Sequence, residues 1–291
     1  MQTDQNNKSG STTDQLMSIR GDAQMVEYDP QRDRFMPYCA KTSIGDNLNA
    51  NTIIIDSRPI AIATQYPLAH QLEAHLRLLF DNRSPVLVVL ASSTDIQNHQ
   101  LPPYFAKTAN FGELQTHARF VDYIELSEHT EIKNFQLIIT VGKESFEIPV
   151  LHVHTWPDHQ AIRPDTTIKL VELIESTIAQ SMASQPDDKP TGIPPTSNRL
   201  PLIHCKAGVG RSGQTIAAMA LKRYPDLPLE TIVKDIRASR NDQMIQTRTQ
   251  MKTLVSMTRA STPEPEHVER KRKKNAFSLR NLFGKKQART E

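Results

Sequence analysis

The stretch His204-Cys205-Lys206-Ala207-Gly208-Val209-Gly210-Arg211-Ser212-Gly213 constrains this chain most, because it joins a short apolar run to a helical pattern. Residues 200–204 read as a buried strand, and residues 212–224 carry helical spacing. A turn from a strand into a helix N-terminus points successive backbone N–H groups inward, and the positive end of the helix strengthens that nest for an anion. Gly208 and Gly210 are expected to supply the positive φ and the close backbone approach that such a nest needs. In this field a cysteine ionises below its free value of about 8.5 and becomes a nucleophile. Arg211, six residues after Cys205, offers a planar fork for two oxygens of a phosphate, which lysine does not imitate. A buried cysteine is more often a small hydrophobe, but a glycine-bearing loop followed by arginine makes poor core.

Composition narrows the setting. The 291 residues are 37% hydrophobic and 23% charged, ordinary for a soluble globular protein. Cys39 and Cys205 form no CxxC pair and have no metal-ligand spacing, so no disulfide framework, no structural zinc and a reducing workplace are expected. The first twenty residues lack the apolar core of a Sec-type signal peptide, and no stretch approaches transmembrane length. Net charge is +3, with the positive residues gathered late, notably Arg270-Lys271-Arg272-Lys273-Lys274.

Residues 1–24 lack a sustained apolar period and read as disordered. Runs at 52–56 and 60–63 flank Asp56-Ser57-Arg58-Pro59 like a hairpin, residues 68–81 have helical spacing, and the apolar run 86–90 reads as a strand buried on both faces. Residues 120–126, 135–141 and 145–153 suggest an antiparallel meander. Helices are expected over 165–184, 212–224, 229–239 and 247–259, with a polar loop inserted at 185–199 and the fold ending near Pro263. The fold class is α/β (α+β), a mixed twisted sheet flanked by helices.

The loop string matches the HCxxGxxR[ST] signature of the cysteine-dependent protein tyrosine phosphatases, which it resembles in residues and in setting. Trp156-Pro157-Asp158-His159 is similar to the family's mobile WPD loop. The resemblance implies that Trp156 anchors a flap and that Asp158 protonates the leaving phenol, kept protonated by desolvation when the flap closes. Met244-Ile245-Gln246-Thr247-Arg248-Thr249-Gln250 resembles the glutamine loop, implying that Gln246 orients the hydrolytic water, with Gln250 as a second glutamine. Ser212 stands for the commoner threonine, whose hydroxyl bonds the departing thiolate. Lys206, Ala207, Gly208, Val209 and Gly210 then bind the phosphate and ring. Phe35 and Tyr38 resemble the pair that sandwiches the ring, although Pro37 stands where an acidic residue would hold the substrate backbone. Asp95 takes the place of a glutamate that braces the arginine. His204 is assigned to holding the loop, and His152 and His154 to packing or surface.

The resemblance runs from about residue 35 to about residue 260. Asn47-Leu48-Asn49-Ala50-Asn51, Thr64-Gln65-Tyr66-Pro67, Leu90-Ala91-Ser92-Ser93 and Pro103-Tyr104-Phe105 look like segments of the YopH-type bacterial type III effector branch. It implies a catalytic domain over 25–262, a secretion signal within 1–24 and a basic tail over 263–291. The implied substrates are phosphotyrosine proteins of a host cell, met in its cytoplasm after secretion by a bacterium, with a secretion chaperone as a further partner. The tail suits a membrane surface or the nucleus, nucleic acid is not expected as a partner, and the chain is expected to be a monomer that uses neither metal nor cofactor. Two alternatives stay open: a phosphoinositide phosphatase of the same superfamily, because of Lys206, and a phosphotyrosine-binding module without turnover.

Overall fold

In a computed structural model, which describes residues 11–184 and 199–260, the apolar run at 86–90 forms β3 (Leu87–Val89), inside an eight-stranded sheet. The other strands are β1 (Ala50–Ile55), β2 (Arg58–Thr64), β4 (Ala109–Phe111), β5 (Leu114–Ser127), β6 (Thr130–Val141), β7 (Glu144–Val153) and β8 (Leu202–His204). Their order is β1-β2-β8-β3-β7-β6-β5-β4. The neighbours β2, β8, β3 and β7 run parallel, and the remaining pairs are antiparallel. Alternation along a strand explains the unbroken apolar runs. Val86, Val88 and Leu90 face one core with Ala61, Ala63 and Ile203, while Leu87, Val89 and Ala91 face a second core with Ile62 and Leu202.

Helices cover both faces: α2 (Leu72–Asp81), α3 (Ser93–Asn98), α4 (Pro164–Ser184), α5 (Gly210–Arg223), α6 (Leu229–Ser239) and α7 (Arg248–Ala260). Among the described residues no helix is long and apolar enough to cross a membrane. The expected hairpin closes through Asp56 and Ser57, whose φ values of 50° and 62° fit the primed turns that match strand twist. The meander strands begin earlier than the hydrophobic pattern suggests, because Leu114 and Thr116 bury alternate side chains on β5 before its exposed middle. Helix α3 escapes a periodicity search at six residues, although the Ser92/Asp95 capping box announces its start.

One expectation is corrected. Disorder was expected over residues 1–24, but Thr12–Ser18 form a helix, α1. Two turns carry too little pattern to stand alone, and tertiary partners supply the rest. Leu16 is buried, Asp14 pairs with Arg248, and Arg237 donates from Nη1 to the carbonyls of Leu16, Met17 and Ile19 at 3.2, 3.1 and 2.6 Å. Residues 1–10, the expected loop at 185–198 and the basic tail at 263–291 lie outside the described residues.

Candidate active site

The four parallel strands end side by side, and the segments that leave their carboxyl ends meet. After β8 comes the loop 205–209, after β2 Gln65-Tyr66, after β3 the segment leading to Asp95, and after β7 the turn with Trp156 and Asp158. Open α/β sheets place ligand sites in this position.

The loop is shaped from below. Gly208 has φ +71°, and a Cβ there would stand 2.0 Å from the Thr64 carbonyl oxygen, so only glycine fits. Gly210 has no positive φ, contrary to expectation. Its need is space, since a Cβ would lie 3.1 Å from Gln250 Nε2 and 3.2 Å from Gln246 Oε1. Arg240, fully buried, pulls the loop carbonyls down: Nε donates to Gly208 O at 2.7 Å and Nη2 to Ala207 O at 3.3 Å. Its other bonds reach Asn49 Oδ1, Asn51 Oδ1 and Ala63 O. With carbonyls held outward, amides turn inward, and Gly208 N donates to Cys205 Sγ at 3.2 Å.

Burial alone would push the Cys205 thiol up. Arg211, the Ser212 hydroxyl and the amides of Ser212 and Gly208 outweigh it and hold the thiol below its ordinary value. That hydroxyl meets no partner with full hydrogen-bond geometry among the described residues. Arg211 is 1% exposed. Its Nη1 donates to Asp95 Oδ2 at 2.6 Å and to Trp156 O at 2.8 Å, so Asp95 braces it directly despite the short side chain. Asp95 reaches because the capping box also fixes its carboxylate on Ser92 N at 3.0 Å. Nη2 meets Asp158 Oδ1 at 2.9 Å, while buried Nε has no partner among the described residues. The Nε–Nη2 edge thus keeps an unused donor at Nε, in the planar fork geometry that suits an oxyanion.

Asp158 also meets Lys206 Nζ at 2.6 Å. Burial raises the pKa of this carboxyl, but Lys206, Arg211 and His159 lower it more, and it stays below the ordinary carboxylate range. With Lys206 and Arg211 beside it, Asp158 is a carboxylate here. Trp156 is buried, with Nε1 donating to Gln160 O at 2.9 Å. Gln250 Nε2 donates to the same oxygen at 3.1 Å, which ties the flap to α7. Gln246 lies against Gly210 at the loop's edge, after Ile245 in a left-handed conformation at φ +62°.

The residues expected to bind the ring divide. Phe35 lies at the rim, its ring centroid 5.7 Å from Lys206 Nζ. Tyr38 is only 6% exposed and lies under the Arg32 guanidinium, 4.9 Å away. Val209 is buried at the start of α5, its carbonyl accepting from Gly213 N and Ile245 N. His204 is fully buried, with Nδ1 3.1 Å from Cys205 O; burial pulls it to about 4 against that contact, and it is no base for the thiol. His152 meets Ala91 O and His154 meets Glu131. Sequence reasoning missed Arg240, Tyr104 and His75.

The family model for protein-tyrosine phosphatase matches residues 23–259. The tyrosine-protein phosphatase YopH of Yersinia enterocolitica is 34% identical over 231 residues, 78% of this chain and 49% of that protein. The secreted effector protein SptP of Salmonella typhi is 35% identical over 219 residues, 75% of this chain and 39% of that protein. This chain thus spans half or less of the length of these curated relatives. The crystal structure of the catalytic domain of human protein tyrosine phosphatase non-receptor type 18 superposes with a TM-score of 0.61 at 22% identity, over 79% of this chain and 84% of that one, a likeness of fold. A family match over most of the chain, on a fold that brings Cys205, Arg211 and Asp158 together, leads to one conclusion: the chain belongs to the protein-tyrosine phosphatase family.

Proposed function

We propose that this chain hydrolyses phosphotyrosine in proteins through a phosphocysteine on Cys205. The observation that carries the reading is the convergence of three groups: Cys205 Sγ under the Gly208 amide, the buried Arg211 fork, and Asp158 2.9 Å from that fork. The thiolate attacks phosphorus, the P–O bond to the phenol breaks, and Asp158 gives its proton to the leaving oxygen. Arg211 and the loop amides hold the equatorial oxygens. Water oriented by Gln246 then attacks phosphorus, Asp158 takes its proton, and the sulfur departs as a thiolate stabilised by the Ser212 hydroxyl.

The free-state carboxylate of Asp158 fits this sequence. An incoming phosphate dianion takes over the Arg211 fork, so Asp158 loses a cation and gains an anion beside it, and both changes raise its affinity for the proton it must donate. Lys206, engaged by Asp158 at 2.6 Å, has a use in the tyrosine-phosphatase reading and is a weak argument for a lipid headgroup.

Similarity to a secreted effector supports action on host phosphoproteins after bacterial secretion, with a chaperone as a further partner. The catalytic domain is assigned to 25–262, with α1 packed against it. The test is phosphate release from phosphotyrosine, phosphoserine and phosphoinositide substrates side by side. Tyrosine-selective turnover lost in Cys205→Ser and reduced in Asp158→Ala is expected; turnover on lipid alone, or binding without turnover, overturns the reading.

A further inference from the structure

Three buried polar side chains lie end to end beneath the loop. His75 Nε2 is 2.9 Å from the Tyr104 hydroxyl, that hydroxyl is 2.7 Å from His204 Nε2, and His204 Nδ1 is 3.1 Å from Cys205 O. None of the three residues is more than 1% exposed. Ring packing fixes them: His75 meets Tyr104 edge-on at 5.0 Å, and Tyr66 meets His204 the same way at 5.0 Å.

Donor counting gives the chain a direction. A carbonyl oxygen only accepts, so His204 Nδ1 carries the hydrogen. Burial keeps both histidines neutral, and a neutral imidazole has one N–H. His204 Nε2 is then an acceptor, the Tyr104 hydroxyl donates to it, and the tyrosine oxygen accepts from His75 Nε2–H. We propose that His75 is a positioning residue for Cys205: by donating to Tyr104 it fixes this direction, holds His204 in the Nδ1–H tautomer and pins the Cys205 carbonyl away from the sulfur. The proposal rests on Cys205 being the nucleophile.

Without the His75 donor, the Tyr104 hydroxyl can accept from His204 instead. His204 then turns a lone pair from Nδ1 toward the Cys205 carbonyl oxygen, and two lone pairs repel across that contact. The carbonyl swings, and the Gly208 and Ser212 amides lose their aim on the thiolate. The titratable groups facing His204 are His75, Tyr66, Tyr104, His152, Cys205 and Arg211, of which Arg211 and the thiolate carry charge near neutral pH.

Nitrogen-15 histidine spectra of the unaltered protein should show His204 protonated at Nδ1 and bare at Nε2; the opposite tautomer overturns the proposal. The pH profile of Cys205 alkylation by iodoacetamide is the second readout. His75→Leu and Tyr104→Phe should alkylate about fivefold more slowly near about pH 5, with profiles moved to higher pH. His75→Gln, whose amide still reaches as a donor, should stay within about twofold of the parent. A folded His75→Leu with an unmoved profile refutes the idea, and if it fails to fold, Tyr104→Phe and the parent spectrum decide. Failure of the underlying assignment looks different, as turnover that survives Cys205→Ser.

Discussion

Arg240→Met keeps the length of a buried side chain and removes all its donors. The five N–H groups of the guanidinium make five hydrogen bonds, to Gly208 O, Ala207 O, Ala63 O, Asn49 Oδ1 and Asn51 Oδ1. At about 1 kcal/mol net for each, their loss costs about 5 kcal/mol. The charge opposes this. Burial pulls Arg240 down to about 10, which corresponds to about 3 kcal/mol for keeping the cation inside, a penalty that a neutral side chain lacks. The net destabilisation is about 2 kcal/mol, inside the usual 5–15 kcal/mol stability of a domain. Activity should suffer more, because two of the lost bonds hold loop carbonyls, and a displacement near about 1 Å costs about a hundredfold in rate. Urea unfolding should therefore show a modest shift, while kcat/KM on p-nitrophenyl phosphate falls about a hundredfold. A variant that keeps kcat/KM within about threefold would refute the claim that Arg240 shapes the loop.

Stability should also depend on pH through His204. Its folded pKa of about 4 is below the ordinary value, so as pH falls the unfolded chain binds a proton that the folded chain refuses, and stability is lost between about 6.5 and about 4. The loss from this residue is about 3 kcal/mol, and a melting temperature that falls through that window less steeply in His204→Gln is expected; identical slopes count against it. Asp158 has its folded pKa depressed, so its carboxylate stabilises the fold above the ordinary carboxyl value and that help disappears as pH falls through the folded one. The melting-temperature gap between the parent and Asp158→Asn should be open near neutral pH and close as the pH falls through and below the ordinary carboxyl range, and a constant gap would exclude the ion pairs as its source. Gly208→Ala places a methyl on the Thr64 carbonyl and should lower kcat/KM by at least about a hundredfold; a near-normal rate would mean that the positive φ is dispensable.

What could be read from the sequence was contiguous. The strand, loop and helix around Cys205, and the turn carrying Asp158, hold their chemistry within ten residues each, so order along the chain stands in for geometry. The meander and the hairpin were legible because alternation survives where one face is buried. Arg240 was hidden for the opposite reason: its partners Asn49 and Asn51 are 191 and 189 positions away, and nothing local marks an arginine as a brace. The His75–Tyr104–His204 chain likewise spans helix, turn and strand. Helix α1 failed the test of period because its support comes from Arg237 and Arg248 on α6 and α7. The two cations that meet Asp158 were equally hidden, since Lys206 and Arg211 stand about 50 positions further along the chain.

Arg237 joins the start of the described chain to the segment before α7: besides the three carbonyls at the close of α1, its Nε donates to Met244 O at 3.2 Å, two residues before Gln246. Gly21 adds a second rivet, its amide on Asp242 Oδ1 at 2.8 Å and no room for a Cβ against Ala238. The residues around 12–21 thus behave as a splint on the segment that holds Gln246. A protease cut, a fusion joint or a shortened chain placed there reaches the Gln246 segment from behind, without altering one atom of the loop around Cys205.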